Sequence, residues 1–260
     1  MITWLASYPK SGNTWIRLLL NAYLNENNDL NKIYVAENDN KPYHYYALSP
    51  KKDLTHDESL LLRTAALFHL AHNKAQVLKT HNANCRLTGI GLIPELLTKN
   101  AVYIVRDPRD TVLSLARHFG QTIDEAIDAL NDKSRSIDTP PTFHYMGDWS
   151  FHVNSWMDST FPVHVVKYED LISDPRGTFS KLLPFLDIQP DGDRIEMALN
   201  LTEFETLQAK ERETGFNEKS SYQDVFFKHK GSRWREVLTN EQRNKIESAH
   251  SETMLKLGYD

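Results

Sequence analysis

The sequence predicts an α/β protein with a central parallel β-sheet flanked by helices. Four short, uninterrupted apolar runs are typical of strands that are buried on both faces of a parallel sheet. Helical segments lie between these runs, and strands that alternate with helices are joined by right-handed crossovers. A loop containing Lys, Ser and Gly joins the first strand to the first helix, where it predicts an anion-binding site.

The predicted strands share this continuous apolar character and are each followed by polar residues. They are Ile2–Ser7, Gln76–Lys79, Ala101–Val105 and Val163–Val166. Pro108 follows the third of these strands and suits the first turn of a helix, because its missing N–H has no intrahelical partner there. Apolar residues with helical spacing continue from it, which predicts a helix directly after the third strand.

Capping residues mark two further helices towards the end of the chain. Asp174 followed by Pro175 predicts a helix start, since Asp is a favoured N-cap and Pro is tolerated in the first turn. Thr239 with Gln242 predicts a capping box, and Gly258 can end the helix that follows.

Three segments are rich in polar and turn residues and are predicted to be irregular. They are Glu37–Asp57, Ser134–Gly147 and Gln208–Lys228. Long loops in compact domains act either as lids and binding loops or as plain surface connections, and the sequence leaves both open.

Composition limits the classes of function. A chain of 260 residues can bury one sizeable core, so a single domain over residues 1–260 is expected. The net charge of −5 argues against nucleic acid as a partner. The single Cys85 excludes an internal disulfide and suits a reducing compartment. No signal-peptide core and no apolar run of the roughly 20 residues of a membrane span is visible, so a cytoplasmic location is expected.

The loop after the first strand reads Ser7-Tyr8-Pro9-Lys10-Ser11-Gly12-Asn13-Thr14-Trp15. Backbone N–H groups and the dipole at the helix start favour an anion, Lys10 adds a positive charge, and Ser11 and Thr14 add hydroxyl donors. A Walker A loop ends in Gly-Lys-Ser/Thr, whereas Lys10 here precedes Gly12. The loop is therefore expected to hold phosphate-like groups in a different way.

Arg106 and Ser114 form a second candidate anion site. Arg106 follows the third strand and Ser114 lies eight residues later, in the predicted helix. Open α/β sheets bind ligands at the carboxyl ends of their strands, and an Arg with a nearby hydroxyl can hold a phosphate. The alternative is a structural ion pair of Arg106 with Asp107 or Asp110.

The loop resembles the 5′-phosphosulfate-binding loop of cytosolic-type sulfotransferases, where Tyr-Pro-Lys-Ser-Gly-Thr-Thr-Trp is the usual form and Asn13 replaces the first Thr. The resemblance implies a P-loop-like fold related to nucleotide kinases and 3′-phosphoadenosine 5′-phosphosulfate (PAPS) as cofactor. It also implies a small-molecule acceptor and no metal. Within this loop, the residues it assigns to cofactor binding are Lys10, Ser11, Gly12, Asn13, Thr14 and Trp15.

Other elements resemble the same family. Lys79-Thr80-His81 matches the element that holds the general base, which implies that His81 takes the acceptor proton, while Lys10 stabilises the leaving group. Arg106 and Ser114 match the pair that binds the 3′-phosphate. Lys167-Tyr168-Glu169-Asp170-Leu171 resembles a segment whose Tyr, here Tyr168, lies near the nucleotide.

Leu201-Thr202-Glu203-Phe204 resembles the family's Thr-Ser-Phe element. The resemblance implies that Thr202 and Phe204 contact the adenine, so that Trp15 and Phe204 would hold the base between their rings. Core packing is the alternative for both rings.

His229-Lys230-Gly231 resembles the Arg-Lys-Gly element that covers the 3′-phosphate, which assigns His229, Lys230 and Gly231 to cofactor binding. His229 stands where Arg is usual. The sequence leaves open whether His229 itself, or Arg233 or Arg235, takes the role of that Arg.

These motifs run in the family's order from about Trp4 to Leu238, and Ser155-Trp156 adds a likeness to bacterial sulfotransferases of natural products. The implied reaction is in-line transfer of a sulfuryl group from PAPS to a hydroxyl or amine. A nucleotide or small-molecule kinase and a non-catalytic nucleotide-binding module are the alternatives. Neither the acceptor, nor the loop that covers it, nor the oligomeric state can be read from the sequence.

Overall fold

The computed structural model describes residues 1–45, 54–73 and 76–259. Its strands, in chain order, are β1 Ile2–Ser7, β2 Glu37–Asn38, β3 Gln76–Thr80, β4 Arg86–Leu87, β5 Ile90–Gly91, β6 Thr98–Val105, β7 Ser136–Thr139, β8 Thr142–Tyr145 and β9 Val163–Lys167. Five of them form one parallel sheet in the order β2-β3-β1-β6-β9. The predicted fold class and all four predicted strands are therefore confirmed.

The helices cover both faces of this sheet. They are α1 Asn13–Asn25, α2 Lys41–Tyr45, α3 His56–Asn73, α4 Pro108–Phe119, α5 Ile123–Asn131, α6 Trp149–Met157, α7 Tyr168–Ser173, α8 Pro175–Phe185, α9 Gly192–Leu201, α10 Phe204–Thr214, α11 Trp234–Val237 and α12 Asn240–Leu257, with a 3-10 helix at Glu95–Leu97. In the described part of the chain, no helix combines the length and apolar character needed to cross a membrane.

The capping predictions are confirmed. The Asp174 side chain accepts a hydrogen bond from the Gly177 N–H at the start of α8. The Thr239 capping box begins α12, and Gly258 ends it in the left-handed region at φ 68°.

The prediction of three irregular segments is wrong in part. Residues 134–147 form the β7–β8 hairpin, and the segment from Gln208 starts inside α10. Residues 37–57 contain β2, α2 and the first residues of α3, while positions 46–53 lie outside the described residues. Short strands such as β2 form by pairing with a distant strand, here β3, so their local sequence does not mark them.

Two apolar clusters lie on the two faces of the sheet. Because successive strand residues point to opposite faces, Trp4 and Tyr103 pack into one cluster while Leu5 and Ile104 pack into the other. Both faces of β1 and β6 are therefore buried, which explains their continuous apolar sequence. The parallel arrangement brings the carboxyl ends of β1, β3, β6 and β9 to one edge.

Arg109 fixes the end of β6 and α4 against the C-terminal helix. Its buried guanidinium donates to Asp107 at 2.7 Å, to Glu247 of α12 at 2.7 Å and to the Tyr259 carbonyl at 2.9 Å. It also lies 3.9 Å from the centre of the Trp234 ring. This single side chain thus joins three segments that are far apart in the sequence.

We predict that Arg109→Ala lowers the free energy of unfolding by about 3–5 kcal/mol, because it leaves the buried Asp107 without its counter-charge. Arg243→Ala is the matched control, since Arg243 approaches the same Glu247 only at 4.0 Å and is partly exposed. The control should change stability by no more than about 0.5 kcal/mol. Equal effects of the two substitutions in urea unfolding would contradict this account.

Candidate active site

A cavity of about 300 Å³ opens at the carboxyl edge of the sheet. The predicted site residues on its wall are Lys10, Gly12, Asn13, Thr14, Trp15, His81, Arg106, Ser114, Tyr168, Phe204, His229 and Lys230. Gly231 lines an adjoining pocket that shares Arg106, Ser114 and His229 with this cavity. Ser11 and Thr202 are buried and are not among the residues that line the cavity. Within residues 1–45, 54–73 and 76–259, no group of three or more His, Cys, Asp or Glu side chains could hold a metal ion.

The loop after β1 turns sharply because two of its residues adopt left-handed backbone conformations. Lys10 has φ 69° and Gly12 has φ 103°. A Cβ atom on Gly12 would lie 2.6 Å from Cδ2 of Tyr168, so both the conformation and the space require glycine. The loop can therefore pass directly under the Tyr168 ring.

Helix α1 starts without a side-chain cap and without an acidic residue in its first turn. Its first backbone N–H groups thus lack the partner that a capping side chain usually provides. The buried hydroxyl of Ser11 also has no hydrogen-bond partner among the residues described. Uncapped N–H groups, a free hydroxyl and the helix dipole together form a site that fits an anion.

Arg106 does not form the ion pair considered as its alternative role. Asp107 pairs with Arg109, and the Asp110 carboxylate accepts from the backbone N–H groups of Arg233 and Trp234. The Arg106 guanidinium lies 4.4 Å from the centre of the Tyr168 ring and makes only long contacts of 3.4–3.5 Å to backbone carbonyls. It has no carboxylate partner in the described part of the chain, so its charge is available for an anionic ligand.

Lys10 is a partly buried basic group on the cavity wall. Its Nζ lies 4.0 Å from the centre of the Phe226 ring and 3.4 Å from Nδ1 of His118. Burial, reinforced by the positive charge of Arg117, lowers the pKa of Lys10 to about 7. A bound anion would favour the protonated amine, so Lys10 is suited both to hold negative charge and to donate a proton.

The ring of His81 is held in a single orientation. Its Nδ1 lies 2.8 Å from the carbonyl oxygen of Ser7, which can only accept a hydrogen bond, so Nδ1 carries the proton. Burial, with a contribution from the Lys79 charge, lowers the pKa of His81 well below its usual value. The ring is therefore neutral, and its Nε2, which has no partner among the described residues, is a free proton acceptor.

The aromatic part of the cavity is built around Trp15. The indole N–H of Trp15 donates to the Thr202 carbonyl at 3.1 Å, and its ring meets Tyr168 edge-to-face at 5.9 Å. The Thr202 hydroxyl donates to the Ala198 carbonyl at 2.7 Å, so Thr202 holds Trp15 in place without reaching the cavity itself. Trp15 and Phe204 both line the cavity, as expected for a pair that holds a planar base.

The C-terminal element places Arg233 beside His229, at 2.9 Å between Nη1 and Nε2. Arg233 and His229 line the same adjoining pocket as Arg106. The Arg235 guanidinium instead lies 4.1 Å from the centre of the Trp234 ring. The sequence left open whether Arg233 or Arg235 takes the role of the missing Arg. Of these two, Arg233 is the one that lines the same pocket as Arg106.

Sequence reasoning missed Glu218, which lines the cavity. Its carboxylate accepts from the Thr14 hydroxyl at 2.8 Å and from Arg17 at 2.7 Å. Although burial opposes ionisation, the positive charges of Lys79 and Arg17 lower the pKa of Glu218 to about 2. No local motif marks this residue, because its partners are about 140 to 200 positions away in the sequence.

The fold and this site define an α/β protein in which one cavity combines a loop suited to an anion with a histidine whose pKa is lowered. Residues 2–258 match the model of the sulfotransferase domain, and the chain belongs to this family. Cytosolic sulfotransferase 16 of Arabidopsis thaliana is 24% identical over 282 residues, covering 98% of this chain and 76% of the relative. Flavonol 3-sulfotransferase of Flaveria bidentis is 23% identical and covers 96% of this chain and 80% of the relative.

Solved structures share the fold at low sequence identity. The structure of mouse sulfotransferase SULT7A1 complexed with PAP is 18% identical with a TM-score of 0.62, covering 97% of this chain and 84% of that one. Retinol dehydratase in complex with androsterone and inactive cofactor PAP is 18% identical with a TM-score of 0.65, covering 97% and 80%. These likenesses support the α/β fold and the parallel order of its sheet.

We predict that the His81 ring remains neutral, with its proton on Nδ1, between pH 6 and 8, because its pKa is well below 6.5. Nitrogen-15 NMR of the labelled imidazoles distinguishes the two tautomers and the imidazolium. The His81 signals are assigned by their loss in His81→Asn. A proton on Nε2 at pH 7, or a midpoint of titration at or above pH 6.5, would contradict the geometry.

Proposed function

We propose that this protein transfers the sulfuryl group of PAPS to a hydroxyl or amine of a small-molecule acceptor. The observation that supports this most directly is that one cavity combines an uncapped helix start and a partly buried lysine with a neutral histidine. The first two suit an anionic donor, and the third suits deprotonation of an acceptor. Membership of the sulfotransferase family, and the PAP bound to two structural neighbours, agree with this donor.

The residues on the cavity wall fit a nucleotide with two anionic ends. The N–H groups at the start of α1, with Ser11 and Lys10, would hold the 5′-phosphosulfate. Arg106 and Ser114, with the element His229-Lys230-Gly231, would hold the 3′-phosphate at the other end. Tyr168 stacks beneath Arg106 and fixes that guanidinium, while Trp15 and Phe204 would contact the adenine.

PAPS supplies an activated sulfuryl group whose sulfur is attacked in line with the leaving phosphate. His81 takes the acceptor proton at Nε2 as the new oxygen–sulfur or nitrogen–sulfur bond forms. Lys10 neutralises, and with its lowered pKa can protonate, the bridging oxygen that is released when the old sulfur–oxygen bond breaks. Holding both substrates in one cavity supplies the orientation that the reaction needs.

The other functions considered are less well supported. A kinase is disfavoured because Lys10 precedes Gly12, so the loop lacks the Gly-Lys-Ser/Thr order that holds nucleoside triphosphates. A purely binding module would have no use for a neutral histidine with a free ring nitrogen on the cavity wall. We further propose that residues 1–260 form one domain that acts in the cytoplasm, in line with the cytosolic sulfotransferases among its relatives.

Calorimetric titration with 3′-phosphoadenosine 5′-phosphate, without magnesium and with ATP as the comparison, tests the cofactor site. Lys10→Ala and Arg106→Ala should each weaken binding by about 10- to 100-fold, because each removes a charge-assisted contact. Lys245→Ala, at an exposed position of α12, is the matched control and should leave binding unchanged. Equal affinity for ATP and this nucleotide, or unaltered binding in both site variants, would contradict the proposal.

His81→Asn should lower kcat about 10²-fold or more, in line with the usual contribution of a general base. Its affinity for the nucleotide should stay within about twofold, because Asn removes the ring nitrogen and no phosphate contact. His72→Asn, at an exposed position of α3, is the control. Turnover is measured with PAPS and a panel of small phenols and amines, and near-normal kcat in His81→Asn would remove His81 from this role.

A further inference from the structure

A second histidine lies on the same cavity wall as His81. His144, in β8, lines the cavity, and its ring meets that of His81 edge-to-face with 5.8 Å between the centres. Its Nε2 lies 2.7 Å from Oδ1 of the buried Asp39. A carboxylate only accepts hydrogen bonds, so Nε2 carries a proton.

Asp39 holds this ring from a fixed position. Its other carboxylate oxygen accepts from Arg63 at 2.6 Å, from Thr80 at 2.8 Å and from Asn82 at 3.1 Å. The Arg63 guanidinium lies 2.6 Å from the Asp39 carboxylate and balances its charge. Nδ1 of His144 has no hydrogen-bond partner among the residues that the structure describes, so in the neutral ring it is an unused acceptor.

Two further polar atoms on this part of the wall are buried without a partner in the described structure. They are Oδ1 of Asn38, next to Asp39 in the chain, and the hydroxyl of Thr139, in the strand that pairs with β8. Phe119 and Ile137 add apolar surface to the cavity. The wall thus combines several unsatisfied hydrogen-bond acceptors with apolar contacts that suit a flat molecule.

A ligand with one hydroxyl can satisfy the nitrogen of His81 but leaves these other acceptors unpaired, which is costly in a buried site. We infer that His144 binds a second hydrogen-bond donor of the acceptor, placed next to the hydroxyl that reacts at His81. The preferred acceptors are therefore small molecules with neighbouring hydroxyl groups, such as a catechol. This inference rests on the proposed sulfuryl transfer and specifies the acceptor class for that same site.

Binding of 4-methylcatechol and 4-methylphenol to the protein saturated with 3′-phosphoadenosine 5′-phosphate tests this inference. The two probes differ only in the second hydroxyl, and the catechol should bind at least about tenfold more tightly. His144→Phe keeps a flat ring but removes the free nitrogen, so it should abolish the preference while the affinities for the phenol and the nucleotide change little. His144→Gln can donate to Asp39 and still accept in the cavity, so it should restore part of the preference.

Equal affinity of the wild type for the two probes, or absence of catechol binding, overturns the inference. A preference that survives unchanged in both His144→Phe and His144→Gln also overturns it. Failure of the proposed function would give a different result, because 3′-phosphoadenosine 5′-phosphate itself would then not bind in the calorimetric titration described under Proposed function. If His144→Phe does not fold, His144→Gln and Asn38→Ala decide, because each should reduce the catechol preference without altering nucleotide binding.

Discussion

The convergence of positive charges in one largely buried cavity is the constraint on which the rest of the site depends. Lys10, Lys79, Arg106 and Arg117 all approach it, although the chain as a whole has a net charge of −5. Burial, with a further contribution from the charge of Arg117, lowers the pKa of Lys10 to about 7. The folded protein therefore holds basic groups where burial and repulsion disfavour their charged forms, and shifted pKa values of this kind cluster at functional sites.

Glu218 shows how the protein manages this charge in the absence of a ligand. Its carboxylate accepts a hydrogen bond from the Thr14 hydroxyl and forms an ion pair with Arg17, close to the start of α1. Under the proposed function, a 5′-phosphate that accepts a hydrogen bond from the Thr14 hydroxyl must replace Glu218 as the acceptor. The segment that carries Glu218 also supplies Phe226, whose ring contacts Lys10. Under the same proposal, nucleotide binding at Lys10 would therefore be linked to the arrangement of this segment.

The features that the sequence predicted well are those with a local cause. Strands such as β1 are apolar on both faces, and Asp174 and Thr239 each cap a helix through the residue three positions later. Glu218 and His144 escaped prediction because their roles depend on partners that only the tertiary fold brings close. Thr202 matched a motif, yet its buried hydroxyl donates to the Ala198 carbonyl, since a motif identifies a residue without fixing where its side chain points.

A crystal structure of the complex with 3′-phosphoadenosine 5′-phosphate tests the central claim most directly. The account predicts the 5′-phosphate at the N–H groups of residues 13 and 14 beside Lys10, and the 3′-phosphate at Arg106 and Ser114. The unoccupied space next to that 5′-phosphate should face Nε2 of His81. A nucleotide bound elsewhere, or one whose 5′-phosphate points away from His81, would contradict the assignment of this cavity to sulfuryl transfer.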